Sequence, residues 1–250
     1  MLILNADDWG YDTATTDAIM MTFRERRVTS TTAMVFMRDS ERAAVLADRE
    51  SMPVGLHLNL MERYSATTIP EETRRRQELV VSNFRASQRA RWLPSRRLSS
   101  LVRLCVKDQL NGFARLYAIA PSHVDGHQHG HLSTPTMRAL AQDPKRAIRR
   151  SFTFRPGEKP LLNRALRLSL NRYISASFCS THQFHSIRAL HPRLGGHGIE
   201  KILADAHVQN VEIMVHPGVR DEFELLMSEE WRRLIAGVPM GSFRNLVKSS

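Results

Sequence analysis

Four short strand-like runs end in groups that bind metals or move protons. This constrains the chain more than any other feature. Leu2-Ile3-Leu4-Asn5-Ala6-Asp7 reads as a buried strand ending in the carboxylates Asp7 and Asp8. Pro53–Leu60 is a continuous buried type with His57 near its end, a strand opened by Pro121 carries His127, and Val211–Gly218 ends in His216-Pro217-Gly218. Val28–Phe36, rich in β-branched residues, and Ser151–Pro156, which alternates, read as further strands. Helical periods fall between them, over Thr13–Arg26, Ser40–Glu50, Ser99–Tyr117, Thr134–Ala141, Leu161–Ser175, Ile199–Asn210 and Glu229–Ala236. This rhythm predicts a mostly parallel sheet with covering helices. Ionisable groups from several strand ends gather at the C-terminal rim of a barrel, so a closed or nearly closed α/β barrel is expected. The competing open, doubly wound sheet normally offers a Gly-rich phosphate loop after its first strand. Here that position reads Asp7-Asp8-Trp9-Gly10.

His123-Val124-Asp125-Gly126-His127-Gln128-His129-Gly130-His131 carries an ionisable side chain at every second position. In an extended strand these would all start on one face. A structural face is rarely filled this way, because each buried imidazole needs a hydrogen-bond partner. A surface cluster or an adventitious nickel-binding patch is the bland alternative. Alternate strand residues stand roughly 6.6 Å apart while a metal–nitrogen bond spans about 2 Å, so one strand supplies one ligand unless it bends. His127 is the expected ligand. His129 and His131 are expected to support it or to face substrate, and His123 to be a buried structural histidine.

The chain has 250 residues and 42% hydrophobic content, enough for one sizeable core, so one domain over 1–250 is expected. A long charged insertion at about 61–98 is expected to lie over the barrel mouth as loops and short helices. No apolar run reaches the roughly 18 residues of a membrane span, and no signal-peptide pattern opens the chain. Only Cys105 and Cys179 are present, which points to a reducing, cytoplasmic location. The net charge is +11; residues 70–107 hold ten Lys/Arg against three acids, and residues 145–173 nine against one. Such patches suit nucleic acid, an anionic membrane surface or an acidic glycan, or are simply solvated helix faces. No nucleic-acid-binding signature accompanies them, so no nucleic-acid partner is expected.

Asp8, His57 and His127 would place one carboxylate and two imidazoles around an ion, leaving positions open for water and substrate. Mixed N and O ligation suits zinc, cobalt, manganese or iron best; magnesium fits imidazole less well. The expected cofactor is one divalent ion, zinc or magnesium. Asp7 and Asp8 serve one site only if the strand ends there, in which case one binds the cation and the other takes a proton from water. His216 is placed to protonate a leaving amine. Arg155, before a proline at a strand end, could bind a substrate oxygen. Asp125, His129 and Trp9 are the remaining candidates for substrate contact or ligand support.

Asn5-Ala6-Asp7-Asp8-Trp9-Gly10, Gly55-Leu56-His57-Leu58, Ser122–His129 and Glu212–Gly218 resemble, in order, the motifs of the YdjC-like carbohydrate deacetylases. Val28–Thr32 and Arg220–Leu226 look like further family blocks. The resemblance implies a distorted (β/α) TIM-like barrel that removes an N-acetyl group from an amino sugar. It implies Asp8, His57 and His127 as metal ligands and Asp7 as base, with His216 on the late His-Pro-Gly motif. Trp9 stands where the family usually has phenylalanine. Residues 61–98 and 177–200 depart from the family pattern, so the resemblance says least about which sugar is used. The expected partner is an N-acetylated sugar, and a homodimer is compatible with it. The alternatives are a sugar- or metal-binding protein without turnover, and a hydrolase of another amide or ester on the same centre.

Overall fold

The computed structural model describes residues 1–143, 146–154 and 158–247. Six strands form one sheet: β1 (Leu2–Trp9), β2 (Ser30–Ala33), β3 (Val54–Leu58), β4 (Val124–Gly126), β5 (Gln183–Ser186) and β6 (Val211–Val215). Their order is β4-β3-β2-β1-β6-β5, and every pairing is parallel. Parallel neighbours need long crossovers. These are α1 (Thr13–Arg24), α2 (Ser40–Arg49), α3 (Glu71–Ala86), α4 (Gln88–Trp92), α5 (Arg96–Tyr117), α6 (Thr134–Leu140), α7 (Leu161–Ser177), α8 (Ile187–Leu190) and α9 (Ile199–Asp205). After β6 follow α10 (Arg220–Leu226), α11 (Glu229–Leu234) and α12 (Phe243–Val247).

The sheet curls, and an irregular segment spans the gap between its edge strands. Val124 bridges Ile148 and Ala147 bridges Cys179, both in parallel sense. The Thr153 amide donates to the Phe184 carbonyl at 2.9 Å. The result is the expected distorted α/β barrel. Every residue of β3 and β6 is buried, as is all of β1 except Asp8. Strands covered on both faces read as continuous apolar runs rather than alternating ones. Leu2, Leu4, Leu56, Leu58, Ile213 and Val215 all belong to the main core.

Three expectations are corrected, and a fourth falls outside the described residues. The histidine strand stops at Gly126, and His127–Leu132 is a tight 3-10 turn with Gln128 and His129 in the left-handed region, at φ 48° and 57°. Ser151–Phe154 is not a strand, though it runs beside β5; the fifth strand is Gln183–Ser186, which polar and aromatic residues made illegible. Arg155 lies outside the described residues. The insertion is not only loops and short helices: beside the five-residue α4 it holds α3, a 16-residue helix that packs on α5 and buries Val80, Val81 and Phe84. Among the described residues no helix is long and apolar enough to cross a membrane.

Candidate metal centre and active site

β1 does not end at Asp7. Its register with β2 shifts between Ala6 and Trp9, and Asp8 sits at φ 71°. A bulge breaks the alternation of faces, and so both carboxylates reach one cluster inside a continuing strand. Asp8 Oδ1 lies 3.3 Å from His57 Nε2, and Asp7 Oδ2 lies 3.9 Å from His57 Nδ1. A left-handed aspartate costs roughly 1–2 kcal/mol, a strain that tends to collect at functional sites.

His57 and Asp125 are register partners across β3 and β4. Their side chains meet at 2.7 Å, Nδ1 to Oδ1, and Thr32 Oγ1 donates to the other carboxylate oxygen at 3.0 Å. With Nδ1 engaged, Nε2 is the nitrogen turned toward Asp8. Such an imidazole–carboxylate couple fixes the tautomer and orientation of a metal-binding histidine.

His127 leaves the sheet at the turn after Gly126, where a Cβ would come within 2.8 Å of the His131 amide nitrogen. Its Nδ1 lies 3.1 Å from Asp8 Oδ1, and its Nε2 lies 3.2 Å from Glu62 Oε2. Tyr11 donates its hydroxyl to the other Glu62 oxygen at 2.9 Å. One ligand atom from each of Asp8, His57 and His127 falls within 4.8 Å of the others. Asp7, His57 and Asp125 form a second such group, fully buried. The charge of those two carboxylates is already answered by Arg149, which leaves Asp8, His57 and His127 as the group open to a cation.

Arg149 is wholly buried and touches three carboxylates. Nη1 and Nη2 donate to the two oxygens of Asp7, Nη1 also contacts Asp125, and Nε donates to Glu212, each at 2.7 Å. Burial alone would raise the pKa of Asp7, but Arg149 and His57 overcome it and hold the carboxyl well below its ordinary range. Glu212 is the third carboxylate on one guanidinium. Burial pushes its pKa up to about 8 despite the Arg149 contact, with Asp125 and Asp7 adding to the rise. Burial opposes a charge on His57 as well, yet Asp125 and Asp7 raise its pKa well above the usual histidine value. The field at this point favours a cation.

His216 follows β6. Its backbone amide donates to Glu222 Oε2 at 2.7 Å, and its Nδ1 lies 3.6 Å from the same oxygen. Burial lowers its pKa, but Glu222, Asp7 and Asp8 together raise it above the ordinary value.

The other candidates fall into different places. His129 stands edge-on to Phe152 at 4.7 Å, and burial lowers its pKa to about 4. His131 is buried and bonds the Arg149 carbonyl through Nε2 at 3.1 Å. It therefore braces the arginine's backbone and does not face substrate. His123 is buried and stacks on Phe243 with ring centres 3.7 Å apart. Trp9 has no solvent exposure and belongs to the main core, so it cannot contact a substrate. Sequence reasoning missed Arg149, Glu62, Glu212 and Glu222. Glu212 carried a signal: an ionisable residue inside the apolar run Val211–Val215 requires a buried partner.

Comparison with known proteins shows what the chain is similar to. A carbohydrate deacetylase of Mus musculus is 27% identical over 87% of this chain and 77% of its own length. A carbohydrate deacetylase of Geobacillus stearothermophilus is 32% identical over 64% of each chain. A chitooligosaccharide deacetylase of Yersinia pestis is 30% identical over 60% of this chain and 58% of its own. The crystal structure of a cellobiose-phosphate cleavage protein from Enterococcus faecalis superposes over 98% of both chains with a TM-score of 0.70 at 20% identity, which shows the shared fold. The family described as YdjC-like protein matches residues 1–237, and the chain belongs to that family.

Proposed function

We propose that this protein removes N-acetyl groups from an amino sugar or oligosaccharide and releases acetate, with one divalent ion, zinc or magnesium, held by Asp8, His57 and His127. The observation that carries the reading is the convergence of those three side chains, each from a different strand end, with ligand atoms within 4.8 Å of one another. The names of the relatives supply the substrate class. The donor set fits the ion: each imidazole has a carboxylate on its second nitrogen, Asp125 for His57 and Glu62 for His127. A bound divalent ion polarises an acetyl carbonyl and lowers the pKa of water.

The chain's own residues divide the remaining work. Asp7 is the base. Arg149 and His57 hold its pKa well below the ordinary range, so it stands ionised, the form that can accept a proton. His216 is the acid: its raised pKa favours the imidazolium, which carries the proton a leaving amine needs. Glu222 holds that ring through its contacts with Nδ1 and the backbone amide. Asp8 and His127 are partly exposed while His57 is buried, so substrate approaches over the first two. Cys105 and Cys179 are both free thiols, which supports a reducing, cytoplasmic setting.

The test is acetate release from a panel of N-acetylated sugars, before and after chelation and after return of zinc or magnesium. Release that is lost on chelation and regained with metal is expected. Sugar binding without acetate under every metal condition would replace the enzyme with a binding protein. Cleavage of acetyl esters alone would move the reaction to another substrate on the same centre.

A further inference from the structure

The helix α7 turns large apolar side chains to solvent. Leu161, Leu162, Leu166 and Leu168 are 78%, 73%, 64% and 54% exposed, and Tyr173 is 45% exposed. Leu162, Leu166, Ser169, Tyr173 and Ala176 recur at intervals of four and three residues, so they line one outward stripe. Only Asn171 and Ile174 of this helix are fully buried, on the opposite side. Asn171 pins the helix down by accepting from the Ser151 amide at 2.9 Å and donating to its carbonyl at 3.2 Å. The stripe is therefore displayed by a helix anchored to the body.

Charge identifies what covers it. From Lys159 to Phe178 there is no Asp or Glu; Lys159 and Arg172 are exposed, while Arg167 turns inward over the Phe152 and Phe154 rings. A second copy of this helix would set arginines against arginines with no carboxylate between them. Nucleic acid would match the charge but has no use for exposed leucines. An anionic lipid surface matches both: leucines enter the acyl boundary while the exposed Lys159 and Arg172 meet headgroups. The helix also adjoins the candidate site. The Arg167 guanidinium lies 5.8 Å from the centre of the Phe152 ring, and Phe152 stands against His129, two residues from His127.

We propose that α7 docks this protein peripherally on an anionic membrane surface, beside the mouth of the candidate site. The experiment is sedimentation of the full chain with vesicles of phosphatidylcholine alone and with about one-third phosphatidylserine. The Leu162→Ser/Leu166→Ser variant is run beside it. Both positions are exposed, so the variant should keep the wild-type melting temperature. Binding to the anionic vesicles only, weakened at least tenfold in the variant, is expected. Equal binding of wild type and variant would reduce the contact to bare charge and overturn the role of the leucines. Absence of binding to either vesicle would overturn the proposal outright. A dimer by light scattering that the variant abolishes would assign the stripe to a second copy instead. These readouts involve no turnover, so they stand or fall separately from the deacetylase reading.

Discussion

Arg149 grips Asp7 through two parallel hydrogen bonds, Nη1 to Oδ2 and Nη2 to Oδ1, each 2.7 Å long and closed to solvent. Through the same guanidinium it reaches Asp125, the carboxylate that orients His57. One buried cation thus positions the proposed base and the support of a proposed ligand. Removing it leaves the buried carboxyl groups of Asp7, Asp125 and Glu212 without their shared partner. Arg149→Met should cost about 3–5 kcal/mol in urea denaturation, the usual scale for stripping one member from a buried ion cluster. Arg149→Lys keeps the charge but loses the fork, and should fall between the two. A loss below about 1 kcal/mol in Arg149→Met would show that the cluster does not need the cation.

Glu212 makes stability depend on pH. Its folded pKa is about 8 against an ordinary 4.5, so the folded state binds its proton more tightly than the unfolded chain does. Its stabilising contribution is full below 4.5 and is lost as pH rises through about 8. Glu212→Gln keeps a hydrogen-bond acceptor for Arg149 and removes the titration. The variant should therefore gain on the wild type as pH climbs across this window. Parallel stability curves for the two proteins from acid to alkaline pH would refute the assignment.

Metal affinity should separate ligands from supports. His57→Ala and His127→Ala remove donors and should abolish tight binding in calorimetric titration. Asp125→Asn and Glu62→Gln leave the donors in place but loosen their orientation, and each should weaken binding by about 10–100-fold. Unchanged affinity in Glu62→Gln would mean that His127 is held by the turn after Gly126 alone.

The adjacent carboxylates should behave differently. Asp7→Asn cannot accept a proton from water, so turnover should vanish while the metal still binds. Asp8→Asn should weaken the metal itself. The reverse pattern in a metal titration would exchange their roles.

His216→Ala should slow turnover by about two to four orders of magnitude with metal content unchanged, the scale of one lost acid–base group. An activated acetyl ester, whose leaving group needs no proton, should recover part of the rate. The pKa of His216 is raised, so the imidazolium is full below the ordinary histidine value of 6.5 and is lost as pH rises through the folded value. That loss should form the alkaline limb of the rate profile. Glu222→Gln, which removes the charge beside Nδ1, should move this limb to lower pH. An unmoved limb would assign it to another group.

The strand–helix rhythm, the parallel sheet and the convergence of Asp8, His57 and His127 were legible from residue patterns. Apolar runs between helical periods identify strands buried on both faces, and ionisable groups at their ends mark the rim. The same reasoning failed where the backbone departs from regular geometry. A strand read as ending at Asp7 continues through a bulge, and a strand read through His131 stops at Gly126. Both depend on left-handed residues (Asp8, Gln128 and His129) that no periodicity announces. β5 was hidden because Gln183-Phe184-His185-Ser186 lacks the apolar signature that its neighbours carry. Arg149 lay beyond reach for a further reason. Its partners Asp7, Asp125 and Glu212 are 142, 24 and 63 residues away along the chain, and they meet only because the irregular segment 147–153 fills the gap between β4 and β5. Side-chain type and spacing are local properties and can be read in order. Which buried charge answers which depends on barrel closure, and only the tertiary structure decides that.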